Sequence, residues 1–244
     1  MLGDITALDP FAWAAVKRAL NQRVVVHRVN LVPSKRNRVW IVETDVRPVV
    51  VKRFFSGRGG NEFENLLRAR QAGLEVPLPL FYEGDYLVLE FIPGENCEIL
   101  INHMFSYPAA KGMGAWLAKF HKALMQGQAH TVMVDAVMSN FILSEGSSVY
   151  GVDLEDATRG EPLDDLGDAV ASILGSEPFF TPIKFDLAIN MIRSYEEVSG
   201  LTVMEKVRPF VADHLRRDAT SKPLFRRTLK AAARSIEREW PKLE

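Results

Sequence analysis

The sequence predicts an α+β protein of two lobes, a small antiparallel sheet with one helix followed by a mostly helical remainder. Three observations carry this expectation. β-Branched runs separated by polar turns crowd the chain up to Phe91, the Pro93-Gly94 pair interrupts the pattern, and helical periodicity dominates the rest of the chain. The chain has 244 residues, 47% hydrophobic and 25% charged, which is globular composition with enough apolar side chains for a core in each lobe. The expected N-lobe is 1–92 and the expected C-lobe 93–244, joined through Phe91–Glu95.

Asp9-Pro10 opens a helix through Leu20, with Asp9 as N-cap and the proline where its missing N–H costs nothing. Val24–Val29, Arg38–Glu43 and Pro48–Phe54 read as strands. Glu62–Ala72 reads as a helix, with Phe63, Leu66, Leu67 and Arg70 on one face and Gly73 ending it. Leu78–Glu83 and Tyr86–Phe91, turned at Gly84-Asp85, complete a five-stranded sheet. Lys111–Leu124 is amphipathic, with an apolar stripe of Met113, Trp116, Leu117 and Phe120. Phe141–Leu143 and Val149–Val152 make a ribbon around the turn at residues 145–148. Helices at Asp165–Leu174, Phe185–Ser199, Met204–Arg217 and Pro223–Glu239 finish the chain.

Thirty basic against thirty-one acidic residues give a formal net charge of −1, which argues against a dedicated duplex-DNA binder. The charge is uneven, however. Lys206 to Lys242 holds eleven Lys/Arg against four Asp/Glu, a local +7 against −8 on the rest. Such a tail suits an anionic membrane or RNA, or else is a solvated helix face. The one cysteine, Cys97, excludes an intramolecular disulfide and a cysteine-based zinc site, and fits a reducing compartment. No run approaches the roughly 18 apolar residues of a membrane span. The start, Met1 to Asp4, lacks the basic region of a secretory signal. The expectation is a cytoplasmic protein, with peripheral contact at the inner membrane face left open.

Four features stand in one order along the chain. Val49-Val50-Val51-Lys52 ends a β-branched run with an ammonium that can hold phosphates as a point charge. An acidic helix start comes next, where Glu62 or Glu64 can pair with Lys52; Glu62 is favoured because Leu66 shares its face, whereas Glu64 has Arg68 there. Asp135 stands five residues before Asn140 and leads into an apolar strand. That pattern suits a loop carrying a proton acceptor at Asp135 and an amide oxygen for Mg²⁺ at Asn140. Finally, Val149-Tyr150-Gly151-Val152 delivers Asp153, which the hairpin would bring to the same cation. Each feature alone has a bland reading, from a surface lysine to a charged loop; the order is what distinguishes them.

The series Lys52, Glu62, Asp135-x4-Asn140 and Val152-Asp153 resembles the signature set of the protein-kinase-like superfamily. The stretch from Val152 through Gly160 and Pro162 to Asp165-Leu166 is similar to the segment after the metal-binding Asp in aminoglycoside phosphotransferase-like kinases. More narrowly, Val51-Lys52-Arg53-Phe54, Glu62-Phe63-Glu64-Asn65-Leu66, Gly73–Pro77 and Asn140-Phe141-Ile142-Leu143 resemble bacterial lipopolysaccharide-core kinases acting on heptose or Kdo, with small RIO-like kinases next. The resemblance covers roughly residues 24–175. It implies a bilobal protein-kinase-like fold using ATP and Mg²⁺ to phosphorylate a small-molecule or glycolipid hydroxyl. It implies Lys52 on the α/β-phosphates, Glu62 holding Lys52, Asp135 as catalytic base, and Asn140 and Asp153 as Mg²⁺ ligands. It also implies Glu90-Phe91-Ile92 as the hinge meeting adenine, and Asp165 as the brace of the catalytic loop.

Three departures qualify what the resemblance implies. The turn Val32–Arg38 contains no glycine, so Ser34, Lys35 and Asn37 would have to hold phosphates with side chains. Met133 stands two before Asp135, where relatives carry a structural histidine; His130 is the nearest substitute. Ala136-Val137-Met138 is apolar, as an acceptor pocket or as a sign of relaxed catalysis. Two alternative functions therefore stay open: a kinase-fold binding or regulatory protein without turnover, and a RIO-like atypical protein kinase that docks RNA through the basic tail.

Overall fold

The computed structural model describes residues 8–21, 23–125, 127 and 129–240; the Met1–Asp4 segment and the last residues of the basic tail lie outside them. The chain divides into two compact units. The first holds the chain through Pro93 together with Asp153–Asp156, and the second holds Gly94–Val152 and the chain from Ala157 onward. The short segment that begins at Asp153 thus belongs to the first unit, whereas the expected division places it in the C-lobe.

In the first unit, Asp9 caps helix α1 (Pro10–Leu20) by accepting the Phe11 and Ala12 N–H groups. The buried positions Ala12, Ala15, Val16 and Leu20 fall on one helical face. That face packs on an antiparallel sheet of β1 (Val26–Val32), β2 (Arg38–Thr44) and β3 (Val49–Arg53), then, after helix α2 (Gly59–Gln71), β4 (Pro79–Glu83) and β5 (Tyr86–Glu90). The strand order is β1-β2-β3-β5-β4. Val49 and Val51 of β3 join Trp40, Val42, Val29 and Val88 in the core under α1, each side chain worth roughly 1.5–3 kcal/mol on burial. Lys52, one residue on, points to the opposite face because side chains alternate along a strand.

Three boundaries differ from expectation. β1 begins two residues late because Val25 exchanges hydrogen bonds with Asp45, at 2.8 Å to its carboxylate and 3.0 Å from its N–H. It then runs on through Val32, opposite Val39. α2 starts at Gly59, and its inward face is Gly59, Glu62, Asn65, Leu66 and Ala69 rather than that of Phe63 and Leu67; Phe63 stacks instead on Tyr82. At the other end, Gly73 takes a left-handed φ of 78°, and the Leu74 N–H closes back on the Ala69 carbonyl at 3.0 Å.

The second unit opens with β6 (Gly94–Asn96), α3 (Cys97–Met104), α4 (Tyr107–Ala123) and β7 (His130–Val132). Then come β8 (Phe141–Ser144), β9 (Val149–Gly151), β10 (Thr158–Gly160), α5 (Pro162–Leu174), α6 (Pro182–Ser199), α7 (Arg208–Ser221) and α8 (Arg226–Arg238). The expected ribbon gains a third strand, in the order β6-β8-β9, and β7 pairs with β10. β6, β7, β10 and α3 were not expected; three-residue strands show no period. The α4 stripe is buried as expected, with Trp116 stacked on Phe120 and edge-on to Phe141. α4 and α6 approach closely at Gly114, where a Cβ would lie 2.1 Å from the Met191 carbonyl oxygen. α7 begins four residues later than expected, since the Val203 and Met204 N–H groups are held by Glu196. The last helix is split into a tight turn at Pro223–Phe225 and α8.

Two buried polar groups stand out in this unit. Burial pushes the Cys97 thiol up to about 12, against a hydrogen bond with the Leu143 backbone that lowers it. Lys184 is fully buried, its Nζ held by the neutral oxygens Asn102 Oδ1 and Ser176 Oγ. Burial pulls it down to about 8, with Glu98 opposing. Among the described residues, no helix is long and apolar enough to cross a membrane.

Candidate active site

In the first unit, β3 presents Lys52 toward α2. Lys52 Nζ donates to Glu62 Oε1 at 2.7 Å and to Asp153 Oδ1 at 3.1 Å. Glu62 is fully buried and Lys52 8% exposed, so this is an interior ion pair. Burial alone would lower the lysine pKa, yet the charges of Glu62 and Asp153 outweigh it and the net direction is up. Burial raises the Glu62 pKa, Lys52 pulls it down, and Asp153 adds to the rise. Between the two carboxylates that the sequence leaves open, the partner of Lys52 is Glu62.

Asp153 carries a positive φ of 67°, a conformation that costs a non-glycine residue about 1 kcal/mol or more. The segment after it is tied down by α2. Asn61 donates to the Glu155 carbonyl and Asn65 to the Leu154 carbonyl, so α2 aims Asn61, Glu62 and Asn65 at one stretch of chain. Carboxylate oxygens of Glu62, Asp153 and Glu155 all lie within 4.8 Å of one another. Lys52 and Arg36, the latter 3.7 Å from Glu155, offset part of this negative charge, and Glu62 Oε2 is buried without a hydrogen-bond partner. An all-oxygen, anionic set of this kind fits a hard divalent cation.

The glycine-free turn is engaged differently from expectation. Asn37 Nδ2 donates to Glu155 Oε2 at 2.6 Å, and Ser34 Oγ accepts the Asn37 N–H at 3.3 Å. Asn37 Oδ1 is buried without a partner. One of the two N–H donors of the Asn37 amide is therefore spent on Glu155 in this arrangement. Arg36 and Arg58 both bind Asp156, a residue that by sequence alone is loop charge. At the end of β5, the Glu90 N–H donates to the Leu78 carbonyl at 2.9 Å and its carboxylate accepts the Leu78 N–H at 3.0 Å. The Glu90 N–H is thus not open to a base, and Ile92 beyond it is buried.

In the second unit, Asp135 is exposed, and the amide of Asn140 reaches back to donate to the Asp135 carbonyl at 2.9 Å. Val134, immediately before Asp135, has a positive φ of 75°, the second strained residue beside a candidate group. The loop hangs from one face of α5. Asp165 accepts the Met133 N–H at 2.6 Å and the Val134 N–H at 2.9 Å, Asp168 accepts the Ala136 N–H at 3.0 Å, and Ser172 accepts the Met138 N–H at 3.2 Å. Residues 165, 168 and 172 share a helix face by their spacing. Ala136 and Met138 are buried in the core, so the apolar run anchors the loop rather than lining an acceptor pocket.

His130 does not replace the histidine missing at Met133; its Nδ1 bonds to the His121 carbonyl. His121 reaches the brace instead, with Nε2 3.0 Å from Asp165 and Nδ1 3.0 Å from the Tyr195 hydroxyl. The carboxylate can only accept, so Nε2 carries a proton toward Asp165. Burial pushes Tyr195 up to about 12, and the Asp165 and Glu161 charges add to it. Asp168, Ser172, Glu155 and Tyr195 were missed by sequence reasoning. The i, i+3, i+7 spacing of Asp165, Asp168 and Ser172 was the available signal.

No protein-family model matches this sequence, and no curated protein is significantly similar to it. Solved structures are. One is amicoumacin kinase hAmiN, in complex with AMP-PNP, Ca²⁺ and Ami, with a TM-score of 0.70 at 12% identity over 96% of this chain and 95% of that one. The fold is protein-kinase-like. A choline/ethanolamine kinase family protein from Mesorhizobium loti agrees, with a TM-score of 0.62 at 15% identity over 85% of this chain and 87% of that one. So does APH(2")-IIa in its ternary complex with streptomycin and ATP, with a TM-score of 0.61 at 12% identity over 94% and 98%. The structure places Glu62 against Lys52 and Asp165 beneath the loop before Asp135, the two contacts expected from the sequence.

Proposed function

We propose that this chain is an ATP- and Mg²⁺-dependent phosphotransferase acting on a hydroxyl of a small molecule. The observation that carries the reading is Lys52 held between Glu62 and Asp153 inside a protein-kinase-like fold. Kinase neighbours whose structures contain AMP-PNP with Ami, or ATP with streptomycin, support a small acceptor. Lys52 binds and orients the α/β-phosphates, and Glu62 keeps its ammonium in place. Asp135 takes the proton of the acceptor hydroxyl. The acceptor oxygen bonds to the γ-phosphorus as the bond from that phosphorus to the β–γ bridging oxygen breaks, and ADP leaves with that electron pair. Asp153 and Asn140 would hold Mg²⁺, which would supply charge neutralisation on the phosphates. Ser34 offers its hydroxyl and Asn37 the amide N–H not given to Glu155 to the phosphates; Glu90 and Ile92 flank adenine.

A finer reading makes the acceptor a sugar of a glycolipid such as lipopolysaccharide core. It rests on the sequence resemblance in Lys52–Phe54, Glu62–Leu66 and Asn140–Leu143. Arg227, Lys230 and Arg234, exposed on α8 opposite buried Leu229, Ala233 and Ile236, support peripheral contact with an anionic cytoplasmic membrane surface, or with RNA. The competing reading, a kinase-fold binding protein without turnover, is favoured by Asn37 being committed to Glu155. Single-turnover transfer from ATP to a panel of sugar and amino-alcohol acceptors, on wild type and Asp135→Asn, separates the two. Full transfer by Asp135→Asn removes the base assignment, and nucleotide binding with no γ-phosphate loss under any condition favours the binding protein.

A further inference from the structure

α7 carries a buried histidine between two carboxylates. His214 Nε2 lies 3.0 Å from Asp164 Oδ1, and His214 Nδ1 lies 3.0 Å from Asp168 Oδ1. Both carboxylates stand on α5, four residues apart and so on one face. A neutral imidazole has one N–H and a carboxylate can only accept, so both bonds form together only on a doubly protonated ring. Burial lowers the His214 pKa, but the hydrogen bonds and charges of Asp168 and Asp164 outweigh it and hold the ring above the usual histidine value. The other charged group at this cluster is Arg217 on α7 itself, 3.7 Å from Asp164 Oδ1.

Asp168 has a second contact. Its other oxygen, Oδ2, accepts the N–H of Ala136, the residue after Asp135. We infer that His214 is a positioning residue: clamped between Asp164 and Asp168, it fixes Asp168 beneath Ala136 and thereby the backbone that presents Asp135. Its catalytic consequence rests on the reading of Asp135 as the base. The loop then hangs from two carboxylates each backed by a histidine, Asp165 by His121 and Asp168 by His214.

The clamp has a pH sense that a simple helix contact lacks. A group whose folded pKa is raised contributes fully below its unfolded value and loses that contribution as pH rises through the folded one. Once the ring keeps a single N–H, two carboxylates share one donor. Asp164 still has Arg217, and Asp168 is the partner whose orientation relaxes.

Amide hydrogen exchange on the full chain tests this. Wild type, His214→Gln and Asp168→Asn are followed from about pH 6 to about pH 9, with intrinsic exchange divided out. The readout is a peptide covering Met133 to Met138, with one from α4 as control. The expected result is wild-type loop protection at least about tenfold above that of His214→Gln at the acid end, converging as pH rises, with α4 unchanged. Equal loop protection in the two proteins at the acid end overturns the inference, as does a loss shared equally by α4. Should His214→Gln not fold, the wild-type series still decides: a flat profile overturns the clamp. ATP hydrolysis in the same samples is read separately. A lower kcat at unchanged KM for ATP supports the positioning role. Loop protection lost in a protein that hydrolyses no ATP at any pH supports the clamp and removes the base assignment of Asp135 instead.

Discussion

Lys52 Nζ and Glu62 Oε1 lie 2.7 Å apart in the interior of the first unit, joined across β3 and α2. Removing Glu62 leaves Lys52 buried with Asp153 as its charged partner, 3.1 Å away, so the loss falls below the roughly 3–5 kcal/mol of stranding a lone buried charge. Glu62→Ala should therefore lower the stability read by urea denaturation by about 1–3 kcal/mol. The double variant Lys52→Met/Glu62→Leu should lose less than the sum of its parts. Additive losses would show that the pair is not energetically coupled.

The brace on the loop predicts a second coupling. Asp165 is 1% exposed and meets two backbone N–H groups and the His121 ring. Asp165→Ala should destabilise by roughly 3 kcal/mol, since it strands the buried Met133 N–H and His121 Nε2 and the part-buried Val134 N–H. His121→Ala should cost less, and the double variant should show an interaction of about 1 kcal/mol in a double-mutant cycle. An interaction near zero would mean that His121 packs beside Asp165 without supporting it.

Lys184 gives a pH-dependent stability. Its folded pKa of about 8 lies below the ordinary lysine value, so the unfolded chain binds the extra proton between about pH 8 and about pH 10.5. Stability attributable to Lys184 rises with pH across that window, by roughly 2–3 kcal/mol in full, and is flat below it. The difference between wild type and Lys184→Met should track this rise in denaturant titrations. A difference that falls with pH would contradict it.

Cys97 should be inert in the folded protein. It is fully buried and its thiol is pushed up to about 12, so almost no thiolate exists near neutral pH. An aromatic disulfide reagent should label it only after denaturation. Rapid labelling of the native chain would show that β6 and α3 open readily.

Much of the fold and site was legible in the sequence, and the reasons are specific. Three strands of the first unit showed themselves through β-branched runs, the other two flanked the turn at Gly84-Asp85, and Glu62 showed itself through its helix position relative to Leu66. Asp165 was visible as a brace because the segment leading to it resembles a known pattern. What stayed hidden depends on side chains meeting across long separations: Asn37 with Glu155, His214 with Asp168, Arg58 with Asp156. No local period encodes such pairs. The three-residue strands β6, β7 and β10 were hidden for a different cause, since they are shorter than any pattern that would announce them.

Lys52 and Asp153 stand at the centre of the proposed nucleotide site. Calorimetric titration of ATP, with and without Mg²⁺, into wild type and Asp153→Ala tests it. Binding should strengthen with Mg²⁺ in wild type and lose that Mg²⁺ dependence in Asp153→Ala. Equal affinity in both proteins with or without the metal, or no binding of ATP by wild type at millimolar concentration, would contradict it.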